Sequence, residues 1–304
     1  MSGRGPRVVV GVDGTEGSIE ALRWAAHDAA RRQCPLHVMT CAELPVSVEA
    51  SLVGNGSLAG SSMDGLVHQR EEVNRRAVEL ARSFGLGIEV SGETVLGAPG
   101  YAVASAAREN DTVVVGATSH PGRLTDVLGS VATVVAYRAH GPVVVVHGAD
   151  RPTPEIDRIV VGITAAVACE RGHAEACSDE ALRWAVDEAA RTGAELELVH
   201  AWSYPYPSAR PGASDPRHEM RVDAMRMLES AERSARAQCQ QVRVHSVVSE
   251  DNPAKALIDA GRSADLVVVG SRGRGGFAAL LLGSTSRTVL QHASVPVALV
   301  RPAA

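Results

Sequence analysis

The sequence predicts an α/β protein made of two repeated domains, each an open, five-stranded parallel sheet with helices on both faces, in a Rossmann-like arrangement. Three observations support this. The chain has 304 residues, which is enough for two domains of ordinary size. Short valine-rich runs alternate with segments of helical periodicity, as in βαβ units. The second half of the chain also repeats motifs of the first half.

The elements of the first half follow from hydrophobic patterning. Runs of β-branched residues bounded by turn residues predict buried parallel strands, and apolar positions at helical spacing predict helices. In order, the prediction is a strand at 7–12, a helix at 18–32 capped by Ser18, a strand at 36–41, a flexible Ser- and Gly-rich connection at 46–66, a helix at 71–83, a strand at 88–95, a helix at 101–108, a strand at 112–115, a helix at 131–139 and a strand at 143–146. Right-handed crossovers between these strands give a parallel sheet.

The repeat is visible in three motifs. Glu20-Ala-Leu-Arg-Trp-Ala recurs at 180–185, Asp111-Thr-Val-Val-Val-Gly has its counterpart at 265–270, and Gly141-Pro-Val-Val-Val-Val has its counterpart at 295–300. The predicted domains are therefore 1–148 and 155–304, joined by a linker rich in proline and charge.

Glycine-rich loops follow the fourth strand of each repeat. Gly270, Gly273 and Gly283 are followed by Ser284 and Thr285 at a predicted helix start, and Gly116, Ser119, Gly129 and Ser130 have the same spacing in the first half. Glycines let the backbone approach phosphate oxygens, and a helix N-terminus adds partial positive charge. This recurring pattern predicts a phosphate cradle. The first copy is degenerate, because Ser119 replaces a glycine and His120-Pro121 stiffens the loop.

Composition excludes several classes of partner and compartment. A formal net charge of -5 and the lack of any basic run argue against binding to nucleic acid or a membrane surface. The sequence has no secretory segment and no apolar run of membrane-spanning length, and its five cysteines do not form a disulfide framework. We therefore expect a cytoplasmic protein in a reducing compartment.

Other chemistries fit less well. Neither first-strand loop has the G-x-G-x-x-G of dinucleotide enzymes, and Lys255, the only lysine, lies outside any P-loop context. No G-x-S-x-G elbow marks a hydrolase. Cys169, His173 and Cys177 recur every four residues and could bind zinc or respond to oxidant, although an incidental solvent loop is the more ordinary interpretation.

Together these motifs resemble the universal stress protein family, in its tandem two-domain form. The resemblance rests on Val-Val-Val-Gly-Val-Asp-Gly at 8–14, the two Ala-Leu-Arg-Trp-Ala helices, the glycine loops and the closing Pro-Val strands. It implies that a cleft at the carboxyl edge of each sheet binds ATP, and Mg²⁺ is a candidate for an ion bound together with it. By residue, it implies a ribose or adenine contact at Asp13, base-edge contacts at Cys41, Val95, Ala201 and Ser249, and phosphate contacts at Gly116, Gly129, Ser130, Gly270, Gly273, Gly283, Ser284 and Thr285. A turn-capping role for Asp13 is the structural alternative.

The second repeat departs from the family pattern, because Thr164 stands where the first repeat has Asp13. The resemblance implies a stress-response regulator or sensor that is not an enzyme and acts through conformation or regulatory protein partners. A slow ATPase or phosphotransferase and a scaffold that binds no nucleotide are the alternatives. The closing strands, at 143–146 and 295–299, predict that the domains associate through these edges and that the chain forms a homodimer.

Overall fold

The computed structural model describes residues 5–43, 59–117, 128–147, 155–164, 173–203, 216–271 and 282–301. It divides into two compact units, Met1–Pro154 and Glu155–Ala304. In the three helices that begin at residues 59, 173 and 216, the backbone is described from the first residue. Their side chains are described from residues 64, 180 and 217 onward.

Each unit has the same order of strands and helices. The first contains β1 (Val8–Gly11), α1 (Glu16–Arg32), β2 (Leu36–Ala42), α2 (Ala59–Ser83), β3 (Val90–Leu96), α3 (Pro99–Ala106), β4 (Thr112–Gly116), α4 (Ser130–Arg138) and β5 (Val143–Val146). The second contains β6 (Arg158–Gly162), α5 (His173–Thr192), β7 (Glu195–Trp202), α6 (Pro216–Gln238), β8 (Val244–Glu250), α7 (Pro253–Gly261), β9 (Leu266–Gly270), α8 (Ser284–His292) and β10 (Val297–Val300).

The sheet of each unit is parallel. Its order is β3-β2-β1-β4-β5 in the first unit and β10-β9-β6-β7-β8 in the second. The central strands carry the core, since Val8, Val9 and Val10 are fully buried and Ile159, Val160 and Val161 repeat this. The predicted α/β fold with a parallel sheet in each repeat is therefore confirmed.

An aspartate carboxylate, buried in the first unit and partly exposed in the second, fixes the amino end of each sheet. Asp111, 1% exposed, accepts hydrogen bonds from the backbone N–H groups of Arg7 and Arg108, each at 3.1 Å, and from Arg7 Nε at 3.1 Å. In the second unit Asp265 accepts from the N–H groups of Asp157 and Arg158 at 2.9 Å. The repeated Asp before each Val-Val-Val-Gly run is thus a structural anchor.

Several predicted boundaries were wrong. Helix α3 spans Pro99–Ala106 rather than 101–108, and β10 spans Val297–Val300 rather than 295–299. Helix α1 begins at Glu16, two residues before Ser18, because the Thr15 side chain accepts from Ser18 N and caps the helix. Helix α2 begins at Ala59, so the predicted flexible connection 46–66 is helical from that residue on. Strand β3 begins at Val90 rather than residue 88, after Gly85 and Gly87 take the left-handed conformation (φ 68° at both).

None of the helices in the described ranges has the length and apolar character needed to cross a membrane.

His37 should make the stability of the first unit pH-dependent. It lies in β2 with Nδ1 2.9 Å from Ser91 Oγ and Nε2 3.4 Å from Glu93 Oε2. Burial, and secondarily the Arg7 charge, lowers its pKa below the ordinary 6.5, against the opposing effect of Glu93 and Asp111. The unfolded chain then binds the proton more readily than the folded chain. The contribution of His37 to the free energy of unfolding is therefore complete above pH 6.5 and is lost as the pH falls below it.

We expect the free energy of unfolding in urea to fall between pH 7.5 and pH 5.5, and His37→Gln to flatten that dependence. Part of the dependence should remain, because burial also lowers the pKa of His27. A profile identical in the variant and the parent chain would contradict this role for His37.

Candidate functional site

The carboxyl edge of the first sheet gathers the residues predicted to bind a ligand. Val8 of β1 pairs with Leu36 of β2 and Thr112 of β4. Because the strands are parallel, Asp13, Cys41 and Gly116 follow or end these strands at the same edge. The geometry there places Asp13 N 3.3 Å from Ser18 Oγ.

Asp13 lies in a turn that its own carboxylate stabilises. Its Oδ1 accepts from Thr15 N at 3.0 Å and from Thr15 Oγ1 at 2.6 Å. The next residue, Gly14, has φ 90°, a conformation that favours glycine. The turn engages one carboxylate oxygen of Asp13. The side chain is exposed, and the carboxylate faces solvent. The turn-capping role is present, and it leaves room for the predicted ribose contact.

Cys41 and Val95 are direct neighbours across β2 and β3. Cys41 is partly buried, and its Sγ lies 4.0 Å from Pro99 O at the start of α3. Burial raises the pKa of its thiol to about 11; the Glu43 carboxylate adds to the rise and the Arg70 guanidinium opposes it. The thiol is therefore neutral at physiological pH and is not activated as a nucleophile.

Packing alone requires a glycine at position 116. A Cβ at this position would lie 2.7 Å from Gly17 O and 2.9 Å from Gly17 C, at the beginning of α1. The glycine that ends β4 therefore lets α1 approach the sheet.

Helices α4 and α8 begin directly after the glycine-rich segments in the sequence. Gly129 and Gly283 are the N-caps of α4 and α8, and neither helix has a side-chain cap. The N–H of Gly129 donates to Ala117 O at 2.7 Å, and the N–H of Gly283 donates to Ser271 O at 2.8 Å. The N–H groups of the first helical residues, 130–132 and 284–286, have no acceptor within their own helices.

The conformation of the two N-caps does not itself demand glycine. Their φ values are −58° and −70°, which any residue adopts. Ser130, Ser284 and Thr285 stand at the start of these helices, where the macrodipole favours an anion. Backbone strain is therefore not the reason for glycine at Gly129 and Gly283.

The second unit has the same edge with different side chains. Ala201 pairs with Ser249 across β7 and β8, as Cys41 pairs with Val95. His200 is buried with Nδ1 2.8 Å from Ile163 O, beside Thr164. The Ser286 hydroxyl donates a hydrogen bond to Gly270 O at 2.6 Å, which links α8 to the end of β9.

The sequence matches one family model twice. The model described as "Universal stress protein family" covers residues 6–147 and 155–301. The chain belongs to the universal stress protein family. Among its relatives, Universal stress protein Rv2005c of Mycobacterium tuberculosis is 34% identical over 97% of this chain and 96% of that protein. A universal stress protein structure from Archaeoglobus fulgidus aligns over 97% of this chain and 96% of its own, with a TM-score of 0.68 and 20% identity.

Related universal stress proteins bind adenine nucleotides. One structure is a complex with cAMP and another, from Archaeoglobus fulgidus, a complex with dAMP. Each matches only 48% of this chain, with TM-scores of 0.35 and 0.34, so these likenesses carry no weight for the ligand of this chain.

Some residues of the predicted phosphate loops and of the possible zinc or redox group lie outside the described part of the chain. These are Ser119, His120, Pro121, Gly273 and Cys169, together with the side chains of His173 and Cys177. Over the ranges that the structure describes, no group of three or more His, Cys, Asp or Glu side chains could hold a metal ion.

Sequence patterning missed two residues of the first universal stress protein domain, Asn74 and Arg70. Both are in α2, Asn74 on its buried face and Arg70 one turn earlier, where Arg70 contacts the Asp13 loop. The available signal was an asparagine among the apolar positions of a helix, which indicates a buried polar contact.

Proposed function

We propose that this universal stress protein binds adenine nucleotide, with ATP as the ligand, and acts in the cytoplasm as a stress-response regulator or sensor rather than as an enzyme. Its output would be a change of conformation read by regulatory protein partners. Homodimer formation stays a prediction.

The observation that carries this proposal is the pair of helices α4 and α8, each of which starts without a side-chain cap behind the fourth strand of its sheet. By contrast, Thr15 caps α1 and Asn252 caps α7. Phosphate oxygens would satisfy the N–H groups that a Ser, Thr, Asp or Asn side chain otherwise satisfies. In the first domain Asp13 supplies a carboxylate at the same edge.

The single lysine supports a binding role over phosphoryl transfer. Lys255 Nζ forms ion pairs with Asp251 and, at 3.4 Å, with Asp259, on the exposed surface of α7. It is therefore engaged outside the glycine loops, whereas a P-loop lysine reaches the β- and γ-phosphates. The hydroxyls of Ser130 and Ser284 are oxygen donors of the kind that Mg²⁺ accepts alongside phosphates.

Nucleotide analysis of the purified chain tests the proposal. We expect ATP to be released from the denatured protein, or bound in calorimetric titration, with a stoichiometry of one or two per chain. Turnover of bound ATP should stay well below about 1 per second, the low end of typical enzyme rates. Faster hydrolysis would indicate an enzyme, and no binding at millimolar ATP would leave the scaffold alternative.

A further inference from the structure

Arg70 brings a positive charge to the carboxyl edge of the first domain. Its Nη1 donates to the backbone carbonyl of Asp13 at 3.2 Å. Its Nε is buried and has no hydrogen-bond partner among the residues that the structure describes. A guanidinium has five N–H donors, so this contact leaves several of them for another acceptor.

The helix that carries Arg70 is firmly held. One turn later, Asn74 Nδ2 lies 3.0 Å from Val38 O, 3.0 Å from Glu93 O and 3.2 Å from Thr40 Oγ1, which ties α2 to both β2 and β3. Gly92 makes room for it, since a Cβ there would lie 2.2 Å from Asn74 Oδ1.

Val73, three residues after Arg70, also packs against the loop that follows β1. A Cβ on Gly14 would lie 3.4 Å from Val73 Cγ1, in ordinary van der Waals contact, so α2 packs directly on the Asp13 loop. Arg70 is therefore placed by a rigid element.

Acidic groups near Arg70 leave it available for a ligand. Among the described residues, Arg70 donates a hydrogen bond to the Asp13 carbonyl, not to a carboxylate. Asp13 Oδ1 is engaged by Thr15, and Glu43 is exposed after β2. Among the described residues Arg70 forms no ion pair, in contrast to Arg75 and Arg76 on the same helix, which both pair with Glu72.

The second domain has no charged residue at the position equivalent to Arg70. Residues 70–96 and 224–250 align without a gap, since β3 and β8 begin at Val90 and Val244, 154 positions apart (244 − 90). The equivalent of Arg70 is then Ala224, which is buried, and the equivalent of Asn74 is Leu228. In the described part of the second domain, the position equivalent to Arg70 therefore has no guanidinium.

We propose that Arg70 binds the phosphate attached directly to the ribose of the nucleotide in the first domain, and so makes this site favour nucleotides over nucleosides. The inference rests on the proposed function. Asp13 is predicted to contact the ribose or base, and Arg70 lies against the Asp13 backbone, which puts it near the ribose rather than at α4. A planar guanidinium matches phosphate oxygens and forms charge-assisted hydrogen bonds.

The test compares AMP with adenosine in calorimetric titrations of the full chain, with and without Gly283→Val to block the second site. We expect Arg70→Gln to weaken AMP binding at the first site about tenfold and to change adenosine binding less than about twofold. Arg70→Lys, which keeps the charge, should retain part of the preference. Arg75→Gln is the matched control, because Arg75 pairs with Glu72 and Glu79 on the exposed face of α2.

Equal weakening of AMP and adenosine would show that Arg70 only supports the Asp13 loop, and would overturn the inference. Unchanged AMP binding in Arg70→Gln would also overturn it, while ATP binding by the parent chain would leave the proposed function standing. A parent chain that binds neither ATP nor AMP would instead remove the proposed function, and this inference with it.

Discussion

Gly141→Ala should destabilise the first domain by about 3 kcal/mol, at the upper end of ordinary overpacking. An added Cβ would lie 2.3 Å from Asp111 O, 2.7 Å from Glu109 O and 3.2 Å from Arg108 O, all backbone atoms. The backbone cannot shift easily, because the Asp111 carboxylate is fixed by Arg7 and by the Arg108 N–H. Relief would have to come from moving Gly141 itself, and with it Pro142, whose carbonyl accepts from Val113 N at 2.9 Å.

Urea unfolding, monitored by circular dichroism, measures this effect. Gly65→Ala is the matched control, because Gly65 is exposed in α2 with nothing within 4 Å of its added Cβ. It should stabilise the chain by about 0.5–1 kcal/mol through helix propensity. A Gly141→Ala midpoint equal to that of the parent would show that the 108–111 turn yields at little cost.

Position 141 shows why a structural requirement found in one repeat does not apply to the equivalent residue of the other. The counterpart of Gly141 is Val295, which is nearly buried in the second domain. The fold therefore tolerates a side chain before this proline. The demand for glycine comes from the local backbone around Asp111, which no sequence pattern specifies.

The fold was predictable because its signals are local and redundant. Each central strand is a valine-rich run that is buried in the structure, and each repeat confirms the other. The starts of α1 and α2 were missed for a different reason. Thr15 and Ser18 both resemble caps in sequence, and only the hydrogen bond from Ser18 N to Thr15 Oγ1 distinguishes them.

The candidate site was less predictable because sequence does not separate packing from binding. Gly116 has a sufficient structural reason in its approach to Gly17, whereas the ordinary backbone angles of Gly129 and Gly283 give no conformational reason for glycine there. Arg70 was missed because its role depends on α2 packing beside the Asp13 loop. That is a tertiary contact between residues 57 positions apart.

Removing the charge of Asp13 should weaken nucleotide binding at the first site by roughly ten- to a hundredfold, the value of one charge-assisted hydrogen bond. Asp13→Asn is the informative variant. An asparagine carbonyl can still accept from Thr15 N, as Asp13 Oδ1 does at 3.0 Å, so the turn is preserved while the charge is lost. Asp13→Ala loses both and should bind no better than Asp13→Asn.

Gly283→Val should act on the other site. Its φ of −70° and ψ of 152° suit valine, so the helix start should survive, while the side chain obstructs phosphate approach to α8. We expect each single variant to lower the ATP stoichiometry at one site, and the double variant to lower it at both. Asp223→Asn, which removes the same charge from the exposed surface of α6, should leave binding unchanged.

Calorimetric titration with ATP distinguishes the two interpretations of Asp13. If it only caps its turn, Asp13→Asn should bind like the parent chain and Asp13→Ala should bind less well. If its charge contacts the ligand, both variants should weaken together. Should the double variant of Asp13→Asn and Gly283→Val keep the stoichiometry and affinity of the parent, the cleft does not bind nucleotide, and the uncapped starts of α4 and α8 then serve the fold alone.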